Sequence, residues 1–381
     1  MIFFYLFAIL PVVVGFALWY QDKNVVWWEW LVGSAVAFVV AAGFHGLSIW
    51  GMTSDQETWS GFVKEATYYP KWIEEYQEAI YKTVTRGSGK NRTTERVFSH
   101  YETRHRTHNR YWELSCTVNG QVNIDEELFD VIRQRFGNAV ETKKVYKSGF
   151  DSGDPNIYVA HNATGYIFPT NTWRQFENRV KAAPSVFSYS KVPKDIRVFE
   201  YPRNKDFMHS DRLIGTSVKT IDLYLFDKMN TELGPNKKVN VLMIGFGSDA
   251  DSLIGQWQEA KYIGGRKNDL VLCYGGGTDT KPQWAKVFGW TEKEIVKRNL
   301  ETILLNNTID NKILPLIRQE IEKSYTIKDW HKFDYITIEP PTWCYFVYVL
   351  VMILIQCVFW YFAHNNDESK GGRNNRYGYR Y

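Results

Sequence analysis

The sequence predicts a mixed α+β protein carried between membrane-spanning helices, on three observations. Long apolar stretches stand at both ends, Met1 to Tyr20 and Val25 to Trp50 first, Trp343 to Phe362 last. Between them, runs rich in Val, Ile, Thr and aromatic residues alternate with amphipathic segments, as strands and helices around a common core do. Late in that region a strand-helix-strand unit, Val239 to Gly277, has the order that makes neighbouring strands parallel.

The apolar ends come first. Pro11 kinks the first stretch without excluding it from a bilayer, and no small-residue cleavage site follows it. In the second, Trp27, Trp28 and Trp30 at one end and Trp50 at the other suit the two interfaces, with Glu29 among the headgroups. Its centre is rich in Gly, Ala and Ser, which lets two helices approach closely as a hairpin. His45 reads as a neutral imidazole bonded to a neighbouring helix. Three spans place the termini on opposite sides. Lys370, Arg373, Arg376 and Arg380 then put the tail in the cytoplasm and the large domain outside. The partners implied are the lipid bilayer and another membrane protein, or a second copy through the spanning helices.

At 381 residues there is room for two domains, and a net charge of +4 with no basic half argues against a nucleic-acid partner. The boundaries read from composition are 1–50 for the hairpin, 51–205 for an α+β region, 206–330 for an α/β domain, 342–363 for the last span and 364–381 for a basic tail. Cys116, Cys273, Cys344 and Cys357 show no CxxC pairing and no metal spacing. Cys116 and Cys273 read as buried thiols in preference to a bridge.

In the α+β region, Phe62, Tyr69, Trp72, Ile73, Tyr76, Ile80 and Val84 predict amphipathic helix from Trp59 to Val84, broken by Pro70. Strands follow over Arg96 to His105, Tyr111 to Val118 and Gln121 to Ile124, the last two joined at Asn119-Gly120. Acidic residues open a helix from Asp125 to Phe136. Strands are expected at Val140 to Lys147, Ile157 to His161, Tyr166 to Phe168, Val186 to Tyr189 and Arg197 to Tyr201, and a helix at Thr172 to Ala182. Further on, a helix from Thr216 to Glu232 ends at Gly234 and Pro235. After the strand-helix-strand unit come helices at Thr291 to Asn306 and Ile309 to Lys323, then a strand at Tyr335 to Ile338.

The helix ending in ELG at Gly234, the strand KVNVLMIGF, the helix through Asp251 to Tyr262, the turn IGGRKNDLVLCY and the closing helices together resemble the TPM domain family. The resemblance covers about residues 206–323. It implies a small α/β domain held at a membrane, and a role in the assembly and upkeep of membrane complexes. For some members it implies divalent-cation binding or phosphate-ester hydrolysis. Where the family usually has an arginine-containing acidic turn, this chain has Gly275, Gly276, Gly277, Thr278 and Asp279.

Ligands of open α/β layers bind at the carboxyl ends of the strands. Asp249 and Asp251 after the first strand, Asp279 after the second, and Asp211 before the region's first helix are therefore candidate ligands for Ca2+ or Mg2+. Capping and the helix dipole explain Asp249 and Asp251 on their own and are the preferred reading. Gly245, Gly247 and Ala250 match a dinucleotide fingerprint, but the next strand ends in glycines where an acid should hold the ribose. Along a strand His100 and His108 would stand about 26 Å apart, too far to share an ion, and His105 and His108 could share one only on a helix or across a turn. A solvated or partner-facing strand surface is therefore the preferred reading. No catalytic constellation can be placed. The function predicted is a membrane-anchored interaction or assembly module, with a metal-dependent phosphoesterase using the strand-end aspartates as the alternative and a nucleotide-binding module as the second alternative.

Overall fold

A computed structural model describes residues 2–21, 27–87, 93–187, 189, 191–202, 206–215, 217–278 and 280–365. The chain opens with α1 (Ile2–Gln21) and α2 (Trp27–Thr53). Next come β1 (Ser54–Tyr69), β2 (Trp72–Arg86), β3 (Thr93–His108), β4 (Tyr111–Cys116), β5 (Gly120–Ile124) and α3 (Glu126–Arg135). They are followed by β6 (Val140–Lys144), β7 (Phe150–Gly153), β8 (Asn156–His161), β9 (Pro169–Glu177) and α4 (Arg179–Ala182). The last part holds β10 (Leu213–Gly215), α5 (Leu223–Lys237), β11 (Asn240–Gly245), α6 (Leu253–Tyr262), β12 (Asp269–Gly275), β13 (Trp284–Gly289), α7 (Ile295–Asn306), α8 (Ile313–Ser324) and α9 (Thr342–Asn365). These elements form a mixed α+β fold in two compact units, Met1–Glu57 with Gln175–Pro193 and Asp329–Tyr381, and Thr58–Arg174 with Lys194–Lys328.

In the first unit α1, α2 and α9 bury Phe4, Ala8, Ala37, Ala41, Tyr348 and Met352 against one another. Small residues set the spacing: a Cβ at Gly15 would come 2.5 Å from the Trp360 ring, and one at Gly33 2.7 Å from Phe359. Hydroxyl and indole groups donate across the helices, Tyr348 to the Phe4 carbonyl at 2.7 Å and Trp30 to that of Val12 at 2.9 Å. His45 Nδ1 lies 3.2 Å from the Tyr5 hydroxyl of α1, the neighbouring-helix bond expected for it. Glu29 is buried in the first turn of α2, where the helix dipole favours a carboxylate.

Among the described residues, two helices are long and apolar enough to cross a membrane, α2 and the Thr342–Phe362 part of α9. Three spans are expected, and these two helices are the candidates found; the described apolar run of α1 is the shorter Phe3–Ala17. The basic tail lies outside the described residues.

The second unit holds three sheets. The largest is antiparallel, in the order β5-β4-β1-β8-β6 with β9 beside β1, and α3 covers it through Phe129, Ile132 and Phe136. In the order β10-β11-β12-β13, a second sheet has its first three strands parallel and the last antiparallel. Every residue of β11 and β12 is buried. Val241, Met243, Leu270 and Leu272 pack under α5, α7 and α8, whereas Leu242, Ile244, Val271 and Cys273 face Tyr262 of α6. An apolar run without alternation is what such double burial requires.

Several expected elements change. The helix expected over Trp59 to Val84 is instead β1 and β2, with Pro70 in the turn between them. Pro70 donates no ladder bond, which a turn does not need. Thr172 to Ala182 is the end of β9 and the single turn α4, and no strand forms at Tyr166 to Phe168, among the described residues of Val186 to Tyr189, or at Arg197 to Tyr201 and Tyr335 to Ile338. Strand β13 has no counterpart among the elements expected from sequence. Helix α5 runs through Gly234 and Pro235 to Lys237 because Gly234 packs on strand backbone, where a Cβ would lie 2.6 Å from the Ser60 carbonyl oxygen.

Cys116 and Cys273 are free and buried. Burial pushes the Cys116 thiol up to about 11 and that of Cys273 well above its ordinary value. Leu272→Ala, at a fully buried position, should cost about 2–5 kcal/mol in urea unfolding. Cys116 and Cys273 should resist maleimide in the native protein at about pH 7.5 and react only as it unfolds, with mass spectrometry locating the adducts.

Candidate functional site

Strands β2 and β3 pair along almost their whole length, from Trp72 opposite His108 to Arg86 opposite Thr93. Thr, Val, Ile and aromatic side chains favour this extended backbone even where nothing covers it. The third strand of this sheet, β7, reaches only Trp72 to Glu74. From Glu75 outward the strands form a two-stranded ribbon about 36 Å long at about 3.3 Å per residue.

Opposed residues share a face, so the register divides the side chains into two surfaces. On one, Trp72 stacks on His108 with ring centroids 4.4 Å apart and on Phe150 at 6.2 Å, and Lys147 Nζ sits 4.3 Å from the Trp72 ring. Burial there lowers the Lys147 pKa. His108 Nε2 meets Glu74 at 2.8 Å, Arg106 lies 3.9 Å from Glu74 and 4.8 Å from the Tyr76 ring, and Arg104 meets Glu78 at 2.6 Å and Glu102 at 3.0 Å. Glu74, Glu78 and Glu102 on this face thus each have a cationic or imidazole neighbour.

The opposite face is different. Glu75 stands opposite His105, and Asp151 of β7 brings its Oδ2 to 3.4 Å from His105 Nδ1. One ligand atom from each of the three lies within 4.8 Å of those of the other two. Among the described residues this is the one group of three such side chains so placed. Asp151 gets there through a bulge: Ser152 pairs with Ile73 and Phe150 with Glu74, so Asp151 is the extra residue. Close approach makes glycine necessary beside it, because a Cβ on Gly149, at φ +72°, would overlap the Glu75 carbonyl oxygen. Further along this face come Gln77 opposite Thr103, then Tyr101, Tyr81 and Phe98, all exposed and in ring contact through Phe98.

The aspartates and glycines singled out in the sequence belong to the parallel layer. Asp249 and Asp251 follow β11 at the carboxyl edge of the parallel strands, where Asp251 Oδ1 accepts from the Leu253 amide at 3.0 Å and from Ser252 Oγ at 3.1 Å. Asp211 precedes β10, parallel to β11, and so lies at the opposite, amino edge. Asp279 lies outside the described residues. Gly245 closes β11, where a Cβ would meet the Tyr274 hydroxyl at 2.9 Å. The loop through Gly247 and Ala250 is tied down locally: the Ala250 amide donates to the Gly247 carbonyl at 3.1 Å, and Trp284 Nε1 donates to that of Ala250 at 2.7 Å. Asp269 begins β12 and is buried, accepting from Asn240 at 2.8 Å, from the Arg266 amide at 3.0 Å and from Tyr201.

In the sequence, His105 stands out only with its neighbours His100 and His108. The cluster combines positions 75, 105 and 151, which strand register alone brings together. The glycines on either side of Asp151 in GFDSG are the one local signal of a strand held unusually close.

No family model, no curated protein and no solved structure matches the chain.

Gly149→Ala should push β7 off β2 and cost more than about 1 kcal/mol in urea unfolding, since Ala at positive φ adds backbone strain to the clash. Gly165→Ala, also at positive φ but with open space around it, should cost less.

Proposed function

We propose that the protein is a membrane-anchored interaction module that presents the β2–β3 ribbon to a partner. The observation that carries this reading is the ribbon's lack of cover. Among the described residues β3 pairs only with β2, and β2 beyond Glu75 pairs only with β3, so both edges are open there. Tyr81, Val84, Val97, Phe98 and Tyr101 are exposed on it, with Tyr101 at 62%.

A two-stranded ribbon is marginally stable alone, and open edges bearing aromatic side chains invite pairing with another chain. Strand addition or packing on the aromatic face satisfies both needs. Anchoring rests on α2 and α9, each of spanning length. The interaction reading is further supported by Asp251, whose carboxylate accepts from the Leu253 amide as the chain enters α6 and, among the described residues, joins no group of three potential metal ligands. It keeps the assembly role that the TPM resemblance implies.

Photocrosslinking in native membranes tests it. A benzoylphenylalanine at Tyr81 or Tyr101 should give one discrete adduct, and the same group at exposed Leu316 of α8 should not. Absence of adducts at 81 and 101, or the same adducts at all three sites, would overturn the reading.

A further inference from the structure

We propose that Glu75, His105 and Asp151 bind one divalent transition-metal ion of the zinc class, tying β2, β3 and β7 together at the root of the ribbon. The ion site does not depend on the partner-binding reading, and a separate measurement tests it.

Distance is the first support. Zinc holds nitrogen and oxygen ligands at about 2.0–2.2 Å, so two ligands of a tetrahedral ion stand about 3.4 Å apart. His105 Nδ1 and Asp151 Oδ2 are 3.4 Å apart, long for a hydrogen bond. The third ligand atom, from Glu75, lies within 4.8 Å of both, and a rotamer adjustment on an exposed side chain closes the remainder.

Charge is the second, independent support. Across the ribbon, Glu74, Glu78 and Glu102 meet Arg104, Arg106 or His108. On the cluster's face the adjoining rungs are Ile73 with Thr107 and Gln77 with Thr103, which carry no charge. Two carboxylates thus stand together with a single imidazole. A divalent cation cancels their charge, and the imidazole selects a transition metal over calcium or magnesium, which prefer all-oxygen sites.

The backbone is built around the cluster as well. The bulge turns Asp151 onto this face, and the Glu75 amide donates to the Gly149 carbonyl at 2.6 Å, fixing β7 against the ligand-bearing residue of β2. Three protein ligands leave a tetrahedral ion one open position, available to water or to a side chain brought by another molecule.

The test is calorimetric titration of ZnCl2 into metal-stripped, full-length protein in detergent. The expected result is one zinc per chain, with affinity weakened at least about tenfold by each of Glu75→Gln, His105→Gln and Asp151→Asn and unchanged by Glu74→Gln on the opposite face. Zinc should also protect His105 of the unsubstituted protein from diethylpyrocarbonate, a readout that needs no variant to fold. No saturable zinc binding, binding that the three substitutions leave intact, or His105 modification unaffected by zinc would overturn the proposal.

Discussion

A strand in a two-stranded ribbon has one hydrogen-bonding neighbour and two faces open to water, and the ribbon depends on this constraint being met at its root. There β7 adds a third strand over Trp72 to Glu74, and Phe150 and His108 stack on Trp72. Beyond that point no described strand pairs with either edge. The ribbon therefore borrows its order from its base and, as proposed, from the molecule it meets and the ion beneath it.

The rest of the second unit supplies a rigid base. Double burial of β11 and β12 forces helices onto both faces, and the resulting layer is locked to the antiparallel sheet by direct hydrogen bonds. Asn268 donates to the Thr58 carbonyl at 2.7 Å and Thr231 to that of Gly61 at 3.1 Å, while Gly234 leaves room for the Ser60 backbone. These contacts hold the start of β1, and β1 leads directly through Pro70 into β2. At the carboxyl edge, where open α/β layers receive ligands, the Tyr274 hydroxyl lies against Gly245, the Trp284 ring against Gly275, and Asp251 accepts from the Leu253 amide.

What can be read from the sequence follows from burial. β11, α6 and β12 are legible because burial on both faces leaves an unbroken apolar run and a helix between. β2 is not, because an exposed strand has no buried face to impose a period of two, and Ile73, Tyr76 and Ile80 fall by chance at helical spacing. The edge on which Asp211 falls is hidden too, since strand direction at β10 depends on its pairing with β11. The three-strand cluster is illegible for a related reason. Its members are dozens of residues apart in the chain, and one of them reaches the others through a bulge that leaves no periodic trace. His45 with Tyr5 is legible, since a polar group among apolar helices must find a bond.

Amide hydrogen exchange along β2 and β3 measures the central claim directly, comparing purified protein with protein in its native membranes. Protection should fall from Trp72 toward Arg86 in the purified protein and rise along the outer ribbon in the membrane, where a partner covers it. Strong, uniform protection of the outer ribbon in the purified protein, unchanged in the membrane, would contradict the claim that the ribbon is an uncovered partner-binding surface.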